Sequence, residues 1–219
     1  HYGEEKKKGS GILLSKVVAE DVIGMPIHYA LVVDFSGFKR IIDEIGGIDV
    51  TVAQSFTDPE FPIEGKEEDL CNGDPAFDCR YETIQFQAGM THMDGNSALK
   101  YIRSRHAEGE EGSDFARGRR QQEVILALKQ KLTTPGWVSL DRIKFLVKAF
   151  DDAIDTDMNI GELLTVGKFV TRVPAEHIQK ISIEDYLYAP PFWMYDGKYV
   201  LVPKENYEKL HDYIRAKLD

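Results

Sequence analysis

Helical and strand patterns alternate over the first fifty residues, and this alternation restricts the fold more than any other feature of the chain. Residues 11–23 place apolar side chains at three- and four-residue spacing, and Gly24 and Pro26 follow them, which predicts a helix that ends there. A buried strand is predicted at 27–35, a second helix at 36–45 and a second strand at 48–52. This order predicts an α/β protein, which we expect to be a three-layer α/β/α sandwich with a central mixed sheet.

The rest of the chain extends this pattern, and we expect residues 1–219 to form a single domain. Its core is predicted at 11–132, and further helices and strands at 133–219. The stretch 53–82 lacks periodicity and is rich in Asp, Glu, Pro and Gly, which predicts a long surface excursion. Ser36 and Asn159 are the expected N-caps of the helices that follow them. The remaining predicted elements are strands at 83–87, 177–184 and 198–202, and helices at 94–103, 115–132, 139–154, 160–171 and 204–218.

The two cysteines of the chain, Cys71 and Cys79, flank a turn that contains Gly73 and Pro75. This spacing allows a disulfide that closes a small loop, which favours an extracytoplasmic location. Two free thiols are the alternative. A structural zinc site is not expected, because it takes four ligands and no pair of histidines has metal-ligand spacing.

Five arginines lie within residues 101–122 of a chain whose formal net charge is −10. An acidic, glycine-containing loop at 106–114 separates Arg103 and Arg105 from Arg117, Arg119 and Arg120. The loop allows the two groups to fold back towards each other. Because clustered cations repel one another, we expect an anion between them, and the planar guanidinium suits phosphate or carboxylate oxygens.

A helical wheel of residues 115–132 separates these arginines by orientation. Arg117 and Gln121 fall on the apolar face, which is formed by Val124, Ile125, Leu128 and Leu132. Arg120 borders that face, and Arg119 points to solvent. An inward-facing Arg117 needs a partner: either a protein carboxylate such as Asp114, or an anionic ligand in a cleft between this helix and Arg103 and Arg105.

Several of these residues have ordinary roles as alternatives. The arginines can form salt bridges with the acids of the loop, which are Glu108, Glu110, Glu111 and Asp114. Asp114 is either the N-cap of the helix or a ligand of a divalent cation, since Mg²⁺ binds carboxylate and phosphate oxygens. His106 differs from the other histidines because it adjoins the arginines. The aromatic stretch 186–195 is either an exposed binding ridge or a proline-rich loop packed onto the sheet.

Composition and missing motifs exclude several classes of protein. The negative net charge disfavours a general nucleic-acid binder, which needs a broad basic face. No apolar run approaches the ~20 residues of a membrane-spanning helix, so we expect any membrane anchor to lie upstream of residue 1. The sequence also lacks a P-loop, a GxSxG elbow and an HExxH helix.

Three segments occur in an order and at a spacing that can be compared with known families. They are VVDFSGFKRIIDEIGGIDVTV at 32–52, FQAGMTHMDGNSALKYIRSRH at 86–106 and SDFARGRRQQEVILAL at 113–128. These segments resemble the LytR–CpsA–Psr (LCP) cell-envelope proteins, with weaker agreement at YVLVPK, 199–204. The RxR pair followed by DxxRxxRQ is the most specific part of the resemblance.

The resemblance implies an extracytoplasmic phosphotransferase with an α/β/α core. Such enzymes move a phosphate-linked glycopolymer, such as teichoic acid or capsule, from a polyprenyl-pyrophosphate carrier to peptidoglycan, with Mg²⁺. By matching motif positions, it implies pyrophosphate ligands at Arg103, Arg105, Arg117 and Arg120, and an accessory polar group at Gln121. Asp114 would be an acid near the metal or the acceptor hydroxyl. We therefore expect the catalytic residues to be Arg117, Arg120 and Asp114.

The resemblance also implies an apolar tunnel for the polyprenyl tail. Two helical faces are candidates for its lining, one with Phe38, Ile41 and Ile45 and the other with Val124 and Leu128. The family's N-terminal half, which holds a transmembrane helix and further metal-binding and pyrophosphate-binding residues, has no counterpart in this sequence, because residues 1–26 match the middle of the family domain. The alternative function is therefore a non-catalytic binder of a pyrophosphoryl lipid or an anionic glycan.

Overall fold

The computed structural model describes residues 10–134, 154–174 and 177–218. The helix predicted at 139–154 lies almost wholly outside the described residues. The chain divides into two compact units. We name them by their place in the sequence. The central unit is Val33–Ile154 with Val170–Ala175, and the terminal unit is His1–Val32, Asp155–Phe169 and Glu176–Asp219.

Helices and strands are both well represented, as the sequence predicts. The described helices are α1 Ser10–Ile23, α2 Phe35–Glu44, α3 Gly95–Arg103, α4 Asp114–Thr133, α5 Ile160–Arg172 and α6 Tyr207–Leu218. The described strands are β1 Leu31–Val33, β2 Ile48–Val52, β3 Phe56–Pro62, β4 Tyr81–Phe86, β5 Gly89–Met93, β6 Ile154–Thr156, β7 Leu187–Tyr188 and β8 Val202–Pro203.

The described strands pair in twos. β2 pairs with β5, β3 with β4 and β7 with β8, each antiparallel, and β1 pairs with β6. The predicted α/β class is confirmed. The central mixed sheet that we expected is represented, in the described part of the chain, by these separate two-stranded sheets.

The core of the central unit follows from the two-residue period of its strands. In β2 the side chains of Ile48, Val50 and Val52 are buried while those between them are exposed, as alternating residues of a strand must be. Ile48 of β2 pairs in register with Met93 of β5, which is also buried. The same hydrophobic cluster contains aromatic rings from β3, β4 and α3, so the β2–β5 pair, the β3–β4 pair and α3 share one apolar interior.

Several predicted elements differ from the observed ones. Asp34, not Ser36, is the N-cap of α2, and its Oδ1 accepts from the amide of Gly37 at 2.7 Å. Residues 178–183 contain no strand, and the strand predicted at 198–202 is reduced to Val202–Pro203. The strand β5 was not predicted, because Gly89 reads as a turn residue.

The predicted excursion at 53–82 is narrower in the structure, because β3 and the start of β4 lie within it. Prolines and acids hide the strand pattern of β3, whose inward residues are Phe56, Asp58 and Phe61. The register shifts between Asp58 and Phe61, as at a β-bulge. The loop proper is therefore residues 63–80.

The structure joins Cys71 and Cys79 in a disulfide across this loop, which confirms the pairing that the sequence favours. Arg80 strengthens the same loop by donating from Nε to the carbonyl of Asp69 at 2.7 Å. Its guanidinium also lies 4.1 Å from the centre of the Phe77 ring. The loop is thus closed by one covalent bond and by local polar contacts.

In the terminal unit, α1 packs against α6 at a glycine. Gly24 has φ of +69°, and a Cβ there would lie 2.2 Å from Cγ of His211, so only glycine fits both the backbone conformation and the space. The ring of His211 contacts the carbonyl of Asp21 at 3.0 Å. Asn159 caps α5 as predicted, accepting from the amide of Glu162 at 3.1 Å.

The aromatic stretch 186–195 was expected to be either an exposed binding ridge or a loop packed onto the sheet. Trp193 is 80% exposed and Phe192 61%, so these two side chains do not pack onto a sheet. Among the described helices, none is both long and apolar enough to cross a membrane.

We expect the disulfide to stabilise the central unit by constraining the unfolded chain. Closing a loop of this length contributes roughly 2–3 kcal/mol in the chain-entropy description. The double variant Cys71→Ser/Cys79→Ser should therefore unfold at lower urea concentration than the wild type. Adding a reductant should lower the stability of the wild type towards that of the variant and leave the variant unchanged. Equal stability of the two proteins under oxidising conditions would contradict this account.

Candidate anion-binding cleft

A cleft of about 450 Å³ opens in the central unit beside the predicted arginines. It combines three guanidinium groups with an apolar wall. Its lining residues are Phe35, Phe61, Pro62, Ile102, Arg103, Arg105, His106, Arg117 and Gln121. The structure thus brings together four of the predicted ligands, Arg103, Arg105, Arg117 and Gln121, and adds His106.

Helix α3 delivers Arg103 to the cleft as its last residue. The N-cap of the helix is Asp94, whose Oδ1 accepts from the amide of Ser97 at 2.7 Å. At its other end, the guanidinium of Arg103 lies 4.3 Å from the centre of the Phe35 ring and 5.8 Å from that of Phe61. Such contacts stabilise a cation by about 0.5–2 kcal/mol. Among the described residues, no carboxylate lies within ion-pair distance of Arg103.

Asp114 connects the two arginine groups. Its Oδ1 lies 2.8 Å from Nη2 of Arg117 and 3.5 Å from Nη2 of Arg105. The N-cap of α4 is Ser113, whose Oγ accepts from the amide of Ala116 at 3.1 Å, so Asp114 is free of the capping role. Three guanidinium charges in the cleft against this one carboxylate leave two positive charges.

Arg120 faces the interior instead of bordering it, and it does not line the cleft. It is 2% exposed, and the buried residues of α4 are Ala116, Arg120, Val124, Ala127 and Lys129. Ile125, predicted to be buried, is 64% exposed, and Gln121 is also exposed. The predicted inward face of α4 is confirmed at Val124, Leu128 and Leu132, which are buried or pack against the core. It is wrong at Ile125 and Arg120, because the wheel favours bulky apolar residues, whereas this helix also packs through alanines around a bonded arginine.

The guanidinium of Arg120 is bonded almost completely by the protein. Nε donates to the carbonyl of Tyr101 at 3.0 Å, and Nη2 donates to that of Ser104 at 2.7 Å. Nη1 donates to the carbonyl and the Oε2 of Glu111, at 2.9 and 2.8 Å. Burial lowers the pKa of Arg120 below its ordinary value, and the charge of Glu111 opposes that shift. This arrangement gives Arg120 a structural task, while its predicted role as a phosphate ligand stays a prediction.

Arg119 points away from the cleft, as predicted, and is half-exposed. Its Nη2 lies 3.2 Å from Oε1 of Glu111. Glu111 therefore bridges Arg119 and the buried Arg120, which accounts for a glutamate that is only 8% exposed.

Asp58 of β3 is fully buried behind the arginine segment. Its Oδ2 accepts from Oγ of Ser104 at 2.6 Å and from the amides of Arg105 and His106 at 3.1 and 3.2 Å. Its Oδ1 accepts from the amide of Glu60 at 3.0 Å. Burial by itself raises the pKa of Asp58, but these hydrogen bonds to the charged form outweigh it, and the pKa lies below its ordinary value.

The apolar wall of the cleft consists of residues that the sequence did not single out. The helical faces expected to line a lipid tunnel are instead buried or packed against the core, at Phe38, Ile41, Ile45, Val124 and Leu128. Phe61 and Pro62 were missed because they lie in the stretch interpreted as an excursion. Their signal was the apolar alternation within β3.

Whether a divalent cation fits the cleft depends on the side chains that could bind it there. In the described part of the chain, the acidic, histidine or cysteine side chains close enough to share a metal ion are Asp69, Cys71 and Cys79, and the two sulfurs are bonded to each other. At the cleft, Asp114 offers a single carboxylate that already bonds arginines. A magnesium ion fits here only where phosphate oxygens of a substrate complete its coordination.

The fold agrees with comparisons to known proteins. The family model described as the LytR_cpsA_psr family matches residues 6–215, so the chain belongs to the LytR–CpsA–Psr family. Two similar proteins of Bacillus subtilis strain 168, TagV and TagT, are each named polyisoprenyl-teichoic acid–peptidoglycan teichoic acid transferase. TagV is 27% identical over 202 residues, which are 91% of this chain and 46% of TagV. TagT is 26% identical over 187 residues, which are 82% of this chain and 49% of TagT.

The crystal structure of B. subtilis TagV matches with a TM-score of 0.64 at 25% identity, covering 97% of this chain and 72% of that one. The chain therefore spans about half the length of these two relatives and most of the TagV crystal structure.

We expect Arg120 and Arg117 to differ sharply in their contribution to stability. Arg120→Ala removes one partner of a buried ion pair, so that Glu111 keeps only Arg119 and three carbonyls lose their donor, which should cost about 3–5 kcal/mol. Arg117→Ala removes a partly exposed pair and should cost less than about 1 kcal/mol. Urea unfolding followed by circular dichroism measures both. Similar losses in the two variants would contradict the assigned positions.

We also expect Asp58 to make stability depend on pH. Because its pKa is lowered in the folded protein, its contribution is fully present above the ordinary value of about 3.8 and is lost as the pH falls through the lowered value. The difference in unfolding free energy between the wild type and Asp58→Asn should therefore be largest near neutral pH and shrink below about pH 4. Urea unfolding of both proteins between pH 7 and pH 3 measures it. A difference that stays constant across this range would show that the charge of Asp58 is not involved.

Proposed function

We propose that this protein is a phosphotransferase of cell-envelope assembly, which moves a phosphate-linked glycopolymer from a polyprenyl-pyrophosphate carrier to peptidoglycan. The observation that supports this most directly is the cleft in which Arg103, Arg105 and Arg117 face an apolar wall. A pyrophosphate joined to a hydrocarbon chain has the same two properties, an anionic group beside an apolar one. TagV and TagT are named as teichoic acid transferases, which supports the same chemistry.

In the proposed reaction a sugar hydroxyl of peptidoglycan attacks the phosphorus that bears the glycopolymer. A new P–O bond forms to the acceptor, the P–O–P bond of the carrier breaks, and polyprenyl phosphate leaves. The three arginines stabilise the charge that develops on the phosphate oxygens. Positioning and charge supply most of the catalysis in phosphoryl transfer, so the reaction needs no nucleophilic side chain.

Asp114 has three proposed tasks, and its position between Arg105 and Arg117 allows the first two. It orients both guanidinium groups, and it accepts the proton of the attacking hydroxyl. Magnesium is part of the proposal, with Asp114 as a single protein ligand in the described residues. When bound, the ion would neutralise phosphate charge alongside the arginines. Gln121, at the edge of the cleft, is proposed to donate an accessory hydrogen bond.

The proposed location is the cell envelope, outside the cytoplasm. The Cys71–Cys79 disulfide supports it, because such bonds persist in oxidising compartments. Membrane anchoring and peptidoglycan as acceptor enter the proposal through the family resemblance.

A non-catalytic binder of pyrophosphoryl lipid is the second candidate. It is favoured by one observation, the single carboxylate that the described residues place among the arginines. The two functions differ in product: lipid-linked glycopolymer, a peptidoglycan oligosaccharide and magnesium should yield polyprenyl phosphate with a transferase and only a stable complex with a binder.

We expect Arg117→Ala to weaken binding of farnesyl pyrophosphate about 10- to 100-fold, since a charge-assisted hydrogen bond contributes roughly 1.5–3 kcal/mol. Isothermal titration calorimetry measures this loss. The matched control is Arg119→Ala, two residues along the same helix and outside the cleft, which should bind as the wild type does.

Binding of inorganic pyrophosphate and of farnesol measures separately what the arginines and the apolar wall contribute to affinity. Each should bind more weakly than farnesyl pyrophosphate, because each lacks one of the two matching groups. Equal binding by Arg117→Ala and Arg119→Ala, or farnesol binding as tightly as its pyrophosphate, would exclude the proposed site.

A further inference from the structure

The segment that follows α3 holds the cleft arginine Arg105 and has no regular secondary structure, so other contacts must fix its backbone. Helix α3 ends at Arg103, and Ser104 follows with φ of −50° and ψ of 133°. From there the chain runs through Arg105 and His106, whose side chains line the cleft. Non-helical backbone of this kind has amide and carbonyl groups that need partners when buried.

Asp58 bonds the donor side of this segment. One carboxylate oxygen accepts from the hydroxyl of Ser104 and from the amides of Arg105 and His106. The neighbouring carbonyl of Thr57 accepts from the amide of Glu108 at 3.4 Å. Strand β3 therefore holds residues 104–108 at two consecutive positions.

The β-bulge after Asp58 links this contact to the apolar wall. The pairing of β3 with β4 shifts between Asp58 and Phe61, and Phe61 and Pro62 then line the cleft. Bulges commonly redirect side chains next to functional sites. The same strand thus fixes the backbone at Arg105 and supplies part of the apolar wall of the cleft.

Asp58 is unusual because its burial is not compensated by a cation. It is 0% exposed, and no lysine or arginine in the described part of the chain forms an ion pair with it. An isolated buried carboxylate is costly unless hydrogen bonds satisfy it, and all its recorded partners are neutral donors. A hydrophobic residue would avoid that cost but would leave the amides of Arg105 and His106 unpaired.

We propose that Asp58 is a positioning residue of the cleft, which fixes the backbone of Ser104, Arg105 and His106 so that Arg105 is directed at the bound phosphate. This inference rests on the proposed function, because it assumes that the cleft binds a pyrophosphoryl group. Asp58 itself touches no ligand in this proposal, and its effect passes through Arg105.

A double-mutant cycle distinguishes positioning from general destabilisation. Asp58→Asn keeps the size of the side chain but replaces one acceptor oxygen with a donor, so at least one of the four hydrogen bonds is lost. We expect it to weaken binding of inorganic pyrophosphate about tenfold in the otherwise native protein. In the Arg105→Ala background the same change should cost less than about threefold, because the group it positions is absent.

The matched control is Asp94→Asn, which changes an aspartate at the other end of α3. Asp94 caps the helix by accepting from the amide of Ser97 and does not line the cleft, so its substitution should leave pyrophosphate affinity within about twofold, with or without Arg105. All variants are compared by calorimetry after circular dichroism has shown that they are folded at the temperature used.

Ser104→Ala keeps the test decisive if Asp58→Asn does not fold. It removes the 2.6 Å hydrogen bond to Asp58 and retains both amide bonds, so we expect about a threefold loss of affinity that disappears in the Arg105→Ala background. Losses that are additive with Arg105→Ala, or no loss in either variant, would overturn the positioning role. If Arg105→Ala and Arg117→Ala leave pyrophosphate binding unchanged, the proposed function fails instead.

Discussion

The buried guanidinium of Arg120 is the interaction on which the arrangement of the cleft depends. Through four hydrogen bonds it joins the end of α3, the acidic loop and the first turns of α4. The end of α3 holds Arg103, the first turns of α4 hold Arg117, and Arg105 lies between α3 and the acidic loop. A hydrophobic side chain in its place would pack but would leave three carbonyls without donors. The geometry of the three cleft arginines is thus set by a fourth that does not line the cleft.

Asp58 performs the complementary task with the opposite charge. Arg120 donates to the carbonyl of Ser104 in the segment after α3, and Asp58 accepts from the amides of Arg105 and His106. This irregular segment thus has a buried donor and a buried acceptor as partners. The two charged groups form no ion pair with each other. This division explains why Arg120 and Asp58 are both buried next to the same segment: irregular backbone requires donors and acceptors that a helix or sheet would otherwise supply.

The sequence predicts the α/β class, the cap of α5, the disulfide and the grouping of the cleft arginines. These follow from local signals, such as Asn159 before an apolar-periodic helix or a pair of cysteines across a turn. Arg120 and Asp58 could not be placed in the same way. The wheel of α4 treats Arg120 as a polar residue that belongs at the surface. Its N–H groups are instead bonded in the protein interior by carbonyls 9 to 19 residues away in the sequence. Asp58 lies in a strand whose prolines and acids suggest a loop, and its partners are 46 to 48 residues away.

The arginines of this segment can be sorted by what else they bond. Arg120 is almost fully bonded within the protein, Arg119 is held by Glu111 outside the cleft, and Arg105 and Arg117 share one carboxylate. Arg103 lies against two aromatic rings, and no described carboxylate pairs with it. The capacity to bind an external anion therefore increases along this series, and it is greatest where the surface is also most apolar. A free phosphate would use the charge alone. A ligand that joins a pyrophosphate to a hydrocarbon chain uses both the charge and the rings of Phe35 and Phe61, and the placement of Arg103 favours that class of ligand.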